Sequence, residues 1–301
     1  MGATAHHENH QEDENRWETR EYKEGTVTTE TGEGRGVVDL DVPGSRVRAV
    51  LEGIFGPVAA IGAAFAAQRW NCLAADTALT PDRLSGMREI IWHQLSLLAA
   101  ADGAGVVAAP SVVADKHRHL EWWQRTASAD GDPDGFARIR LNLDPESIDL
   151  YDYLDMDWYT VPRLEGCRHV YGPYVDFSGA DRYVLTLTVP VFGRTAPAAK
   201  VPAASAPPPR PPADPEFLGV AGADIRMSHL EPELLAILRS VPAAAVLVTA
   251  ERRVVTANTP RWISGTRLDR LPAPGADDFA AVTKIGADSG WLLAATTPPH
   301  P

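Results

Sequence analysis

Val47, Val50, Leu51, Ile54, Phe55, Val58, Ile61 and Phe65 recur at three- and four-residue spacing between Ser45 and about Ala75. That period lines apolar side chains along one face of a helix, and the face needs a partner surface to bury it. The chain is therefore committed to a long amphipathic helix packed on something else. Its 301 residues leave room for one large or two modest domains, at about 100 to 200 residues each. A composition that is 45% hydrophobic and 23% charged is that of a globular protein, although prolines number 25. The most apolar stretch of the helix, Ile54 to Ala67, is about 14 residues long, short of the roughly 18 that a bilayer crossing needs. It reads as a buried helix, with no membrane span.

The elements that follow supply the partner surface. Thr80 before Pro81 and Asp82 has the form of a helix N-cap with proline at the first helical position. Met87, Ile90, Ile91, Gln94, Leu95 and Leu98 continue a second helical face, which Gly103 and Gly105 are expected to stop. The texture then turns to β at Gly105 to Val113, Ala137 to Leu143, Arg182 to Phe192 and Phe217 to Ile225. Beyond Ser228, a helix through Leu230, Leu234, Leu235, Ile237 and Leu238 leads to a strand at Ala244 to Ala250, a charged turn at Glu251 to Arg253 and a returning strand at Val254 to Asn258. Residues 1–36 are polar, charged and without periodicity, the composition of a disordered tail. The Pro- and Ala-rich stretch 194–216 has the composition of a semi-rigid linker.

A formal net charge of -12 at pH 7 repels phosphate backbones and favours cationic partners, so nucleic acid is excluded as a first reading. Cys72 and Cys167 form no CxxC pair and are too few for a disulfide framework. They suit a reducing compartment and leave a single disulfide open. The N-terminal residues contain no apolar signal-peptide core. The absence of such a core and of a membrane span leads to the expectation of a soluble, cytoplasmic protein.

No nucleophile elbow, P-loop, dinucleotide fingerprint or HExxH motif is present, so no cofactor is expected and the sequence leans away from an enzyme. His117 and His119 have the spacing of two ligands on one face of a strand, which leaves a metal-dependent enzyme as an alternative; solvated polar residues are the plainer reading. A denser signal lies at 151–176, where Tyr151, Tyr153, Trp158, Tyr159, Tyr171 and Tyr174 alternate with Asp152, Asp155, Asp157 and Asp176. Aromatic faces attract ammonium groups and a neighbouring carboxylate adds a charge-assisted hydrogen bond, so such a set can hold a cationic guest. The same aromatics can equally be core and the same aspartates loop residues.

The segment Tyr171-Gly172-Pro173-Tyr174-Val175-Asp176, followed by Tyr183 to Val191 and by Phe217 to Ile225, resembles the pocket-forming half of the double Cache (PDC-like) sensor domains of bacterial receptors. The resemblance extends over about residues 45 to 297. It implies an α+β fold: a long N-terminal helix, then two Cache (PAS-like) modules, each an antiparallel sheet with flanking helices. The ligand-binding module would occupy 37–227 and a smaller C-terminal module 228–297. On this reading 194–216 is an insertion in a hairpin between two strands of one sheet.

Amino-acid-sensing members of that family share a Tyr, an Arg five positions on, a Trp and a Tyr two and three positions after the Arg, then a Tyr-x-Asp and a later Asp. Tyr151, Trp158, Tyr159, Tyr174, Asp176 and Asp224 match that order, and Met156 stands at the Arg position. In the family the Arg takes the ligand carboxylate and the other positions hold the amino group. The resemblance therefore implies a sensor, not an enzyme, whose ligand is a small amine, with an amino acid as the alternative. Its output would pass through a partner protein, since no kinase, chemoreceptor or DNA-binding segment follows Pro301. A third reading is a structural module that forms a homodimer through the N-terminal helix.

Overall fold

A computed structural model describes residues 27–28, 38–126, 135–177, 182–193, 215–276, 279–286 and 289–297. β1 (Val27–Thr28) precedes the helices α1 (Asp41–Ala74), α2 (Pro81–Ser85) and α3 (Arg88–Leu97). The strands β2 (Ala101–Ala108), β3 (His119–Arg125) and β4 (Phe136–Arg138) lead through a single 3-10 turn at Tyr153–Asp155 to α4 (Asp157–Glu165). Then come β5 (His169–Asp176), β6 (Arg182–Phe192), β7 (Phe217–Arg226), α5 (Met227–Leu238), β8 (Ala245–Val248), β9 (Val254–Ala257), β10 (Phe279–Ile285) and β11 (Trp291–Thr296). Two antiparallel sheets result, one of six strands in the order β4-β3-β2-β7-β6-β5 and one of five in the order β1-β10-β11-β8-β9. The class is α+β, with the long N-terminal helix and flanked antiparallel sheets that the sequence implies.

α1 ties the two sheets together. Its 34 residues reach about 51 Å at 1.5 Å per residue. Near its start, a Cβ on Gly44 would touch Thr283 and Ile285 of β10; further on, a Cβ on Gly62 would touch Val189, Val191 and Ala221 of β6 and β7. The apolar face read from the sequence is the buried one: Val47, Val58, Ile61 and Phe65 have no exposed surface. Burying each such side chain stabilises the fold by about 1.5–3 kcal/mol, which is what seats the helix on the sheets.

The Thr80 cap forms as read: its side chain accepts from the Arg83 backbone N–H at 3.3 Å, with Pro81 at the first position of α2. The stop expected at Gly103 and Gly105 does not occur there. α3 ends at Leu97, where the Arg125 guanidinium donates to the carbonyls of Leu95, Leu98 and Ala101. Both glycines lie inside β2, where the backbone of β3 comes too close for a side chain. A Cβ on Gly105 would sit 2.1 Å from the Glu121 carbonyl oxygen.

β6 and β7 pair antiparallel from Val184 opposite Arg226 to Phe192 opposite Phe217, as expected for two strands of one sheet. The stretch 194–216 between them lies outside the described residues apart from Pro215 and Glu216, and the expected tail 1–36 lies outside them apart from β1. Successive side chains alternate between faces. On β6 and β7, Leu185, Leu187, Ala221, Ala223 and Ile225 join the core beneath α1. Thr186, Val220 and Asp224 face the other way, toward α4 and the loop before it.

Candidate functional site

The loop 139–156 is folded over the outer face of the large sheet by local hydrogen bonds. Asn142 donates to Ser147 Oγ at 2.7 Å, and the Tyr151 N–H donates to the Asn142 carbonyl at 2.8 Å, so Tyr151 returns beside Leu141. Asp152 accepts from the Leu154 N–H at 3.2 Å and from Arg118 at 2.8 Å. Tyr153 is fully buried; its hydroxyl donates to the Ala108 carbonyl at 2.9 Å and accepts from the His119 N–H at 3.2 Å. α4 then lies across β6, where Thr188 donates to the Trp158 carbonyl at 2.9 Å, and ends at Gly166 in the left-handed conformation with φ +66°.

Between this loop and the sheet is a cavity with about 430 Å³ of empty space, solvent at its mouth included. One part of its lining is polar and aromatic: Tyr151, Trp158, Tyr174, Asp176, Thr186 and Asp224. The other is apolar: Val107, Leu120, Trp122, Ile139 and Leu141. Among the described lining residues none is Lys, Arg or His.

A hydrogen-bonded chain orders the polar end. Thr186 donates its hydrogen to Asp224 Oδ1 at 2.7 Å. Having spent its single O–H there, it accepts from the Tyr174 hydroxyl at 2.9 Å. Burial pushes the Asp224 carboxyl up to about 7, the Thr186 hydrogen bond opposes this, and the negative fields of Asp176 and Asp102 add to it. Tyr151 and Tyr174 are raised above the usual phenol range by burial and by the Asp224 and Asp176 charges, so both keep their protons. The site thus concentrates negative potential and hydroxyl dipoles in a largely buried pocket, an environment that rewards an incoming cation.

Five of the seven residues singled out from the sequence meet in this cavity: Tyr151, Trp158, Tyr174, Asp176 and Asp224. Tyr159 does not line it. It is fully buried behind Trp158, packed edge-on against Tyr153 at 5.3 Å and Phe217 at 5.8 Å. Met156 is 38% exposed at the N-terminus of α4 and is also absent from the lining. Arg168 is held by Glu52 of α1 through two 2.8 Å contacts and stacks on Phe55. His117 is exposed, whereas His119 is buried at the start of β3 and driven down to about 4 by desolvation and by Arg138 and Lys116. Among the described residues no group of three or more His, Cys, Asp or Glu side chains converges as a metal site would. Both cysteines are free thiols.

Trp122 and Thr186 were missed. Thr186 was hidden inside a strand read only for its apolar residues, though a count by twos from Val184 puts it on the cavity face. Trp122 was hidden beside Trp123, its neighbour on the opposite face. A signal existed: Gly105 and Gly222 face each other on β2 and β7, with Gly103 opposite Asp224, and glycines at such positions make room for a large ring from the next strand.

No protein-family model matches the chain, and among curated proteins no match was found. Solved structures do match. The sensory domain of the Campylobacter jejuni chemoreceptor Tlp3, determined with isoleucine bound, is 14% identical with a TM-score of 0.51, covering 86% of this chain and 89% of its own. The ligand-binding domain of the same receptor in complex with L-valine is 14% identical with a TM-score of 0.52, over the same 86% and 89%. The chain has the fold of a Cache-type sensory domain. At this identity the likeness is one of fold. The Cache-type fold corrects the expectation of a cytoplasmic protein: the domains that share it are sensory domains of a chemoreceptor. It is joined by α1, which as a whole helix is long and apolar enough to cross a membrane by length and composition. The 14-residue count had considered only its most apolar part.

Proposed function

We propose that this chain is a ligand-binding sensor domain whose ligand is a small amine, held in the cavity under loop 139–156. The observation that carries the reading is the lining itself. Two carboxylates, two tyrosines and two indoles converge there, and no cationic side chain is among the described lining residues. Asp176 and Asp224 receive the ammonium group, and Tyr151, Tyr174 and Trp158 wall it in. Tyr159 acts from behind by fixing Trp158. In this reading the ligand-binding module runs over 37–227, the smaller module over 228–297, and output passes through a partner protein.

The isoleucine and L-valine bound to the Tlp3 domains favour a second reading, an α-amino acid. Its carboxylate would need a charged partner, because an unpaired buried charge is strongly disfavoured. Neither Met156 nor the cavity lining supplies one, and Arg168 is committed to Glu52. The amine therefore fits the chemistry better.

Calorimetric titration of Asp176→Ala and Asp224→Ala against an amine that binds the parent protein tests the assignment. A charge-assisted hydrogen bond contributes about 1.5–3 kcal/mol, so each change should weaken binding roughly ten- to hundredfold. Parental affinity in both variants would refute it.

A further inference from the structure

The apolar half of the cavity is built as deliberately as the acidic half. Trp122 is 7% exposed and lies flat across β2 and β7. Its Nε1 is 2.7 Å from where a Cβ of Gly103 would be, and its Cη2 is 3.2 Å from where a Cβ of Gly222 would be. Glycine at position 103 leaves room that a Cβ would take from the indole, and at position 222 a Cβ would crowd it. Trp122 Nε1, over Gly103, is buried with no hydrogen-bond partner among the described residues, and the ring is part of the cavity lining. Ile139 is held over it by its backbone N–H, which donates to the Trp122 carbonyl at 3.0 Å. Leu120, Leu141 and Val107 complete this end, with no carboxylate or hydroxyl among them.

We infer that Trp122 is a specificity-determining residue, the floor on which the hydrocarbon body of a primary monoamine lies while its ammonium group sits between Asp176 and Asp224. The inference rests on the reading of the cavity as an amine site and narrows it. A diamine would leave its second ammonium against Leu120, Ile139 and Leu141, where no described lining side chain accepts its hydrogens. A very small amine would leave the floor uncovered, and each methylene buried there is worth about fourfold in affinity.

The test titrates the parent chain with methylamine, pentylamine, 2-phenylethylamine and 1,5-diaminopentane. Pentylamine and 2-phenylethylamine should each bind at least about tenfold more tightly than the other two. Trp122→Leu should weaken 2-phenylethylamine by about tenfold and change methylamine by no more than about twofold. Because Trp122 is also a packing residue, Ile139→Glu provides a gain that a damaged fold cannot imitate. It places a carboxylate at the apolar end and should raise diaminopentane affinity by about tenfold while weakening pentylamine. The inference is overturned if the parent binds diaminopentane as tightly as pentylamine, if Trp122→Leu weakens methylamine and 2-phenylethylamine equally, or if Ile139→Glu gains no diamine binding. Failure of all four amines to bind the parent chain would remove the amine reading itself.

Discussion

Asp224 sets the chemistry of the site through its own protonation. Facing it are Thr186 and Tyr174, which form the hydrogen-bonded chain, Asp176 and Tyr151 across the cavity, and Asp102 of β2. With its carboxyl raised to about 7, the group is largely neutral at pH 5 and ionised at pH 8. An ammonium ligand needs the ionised form, so amine affinity should rise with pH by about tenfold per unit below 7 and level off above it. Calorimetry between pH 5 and pH 8 checks this; a flat profile would contradict it. The unliganded chain should respond in the opposite sense. A carboxyl whose folded value exceeds its unfolded one, 3.8, contributes stability below the unfolded value that is lost as pH rises through about 7. Asp224→Asn should therefore stabilise the unliganded chain more at pH 8 than at pH 5, read as the difference in melting temperature. The sequence displayed this acid because it displays type and order. It could not display that Tyr159 and Met156 turn away from the cavity. That depends on the rotation of α4, which is fixed by packing on Tyr153 and Phe217 and by the Thr188 hydrogen bond.

Glycines show most clearly which elements were legible. α1, β6 and β7 announce themselves by period, because each buries a continuous face against neighbours distant in the sequence. β2 was misread because a glycine inside a strand looks like a helix stop until the strand beside it is known. The alternation at 137–143 was overread as well: β4 pairs only over Phe136–Arg138, and Ile139 and Leu141 turn to cover the cavity. β10 and β11 were not recognised as strands. Two alanine substitutions separate the two kinds of glycine. Gly105→Ala forces a Cβ to within 2.1 Å of a carbonyl oxygen and should destabilise the chain by about 1–3 kcal/mol. Gly53→Ala, in the exposed interior of α1 where a Cβ meets nothing within 4 Å, should stabilise it by about 0.5–1 kcal/mol. Urea denaturation of the two variants gives both signs, and matching shifts would show that β2 has been placed wrongly.

At the scale of the whole molecule, a single helix carries both sheets, and the cavity lies on the face of the larger sheet turned away from it. β6 and β7 show one side to α1 through Leu187, Ala223 and Ile225, and the other to the ligand site through Thr186 and Asp224. Occupation of the cavity and the seating of α1 therefore act on the same two strands. Period two along β6 and β7 sorts their residues into these two faces, a division that reading the strands for their apolar residues alone does not make. Location was misjudged from two absences, of a signal-peptide core and of a long apolar run, and the whole of α1 is long and apolar enough to cross a membrane by length and composition. What the fold leaves to be decided is the charge of the guest. The direct measurement is calorimetric titration of the chain at pH 8 with 2-phenylethylamine and, side by side, with phenylalanine, which differs by one carboxylate. The amine should bind at least about tenfold more tightly, because the carboxylate finds no cation among the described residues lining the cavity. Equal or tighter binding of phenylalanine would contradict it.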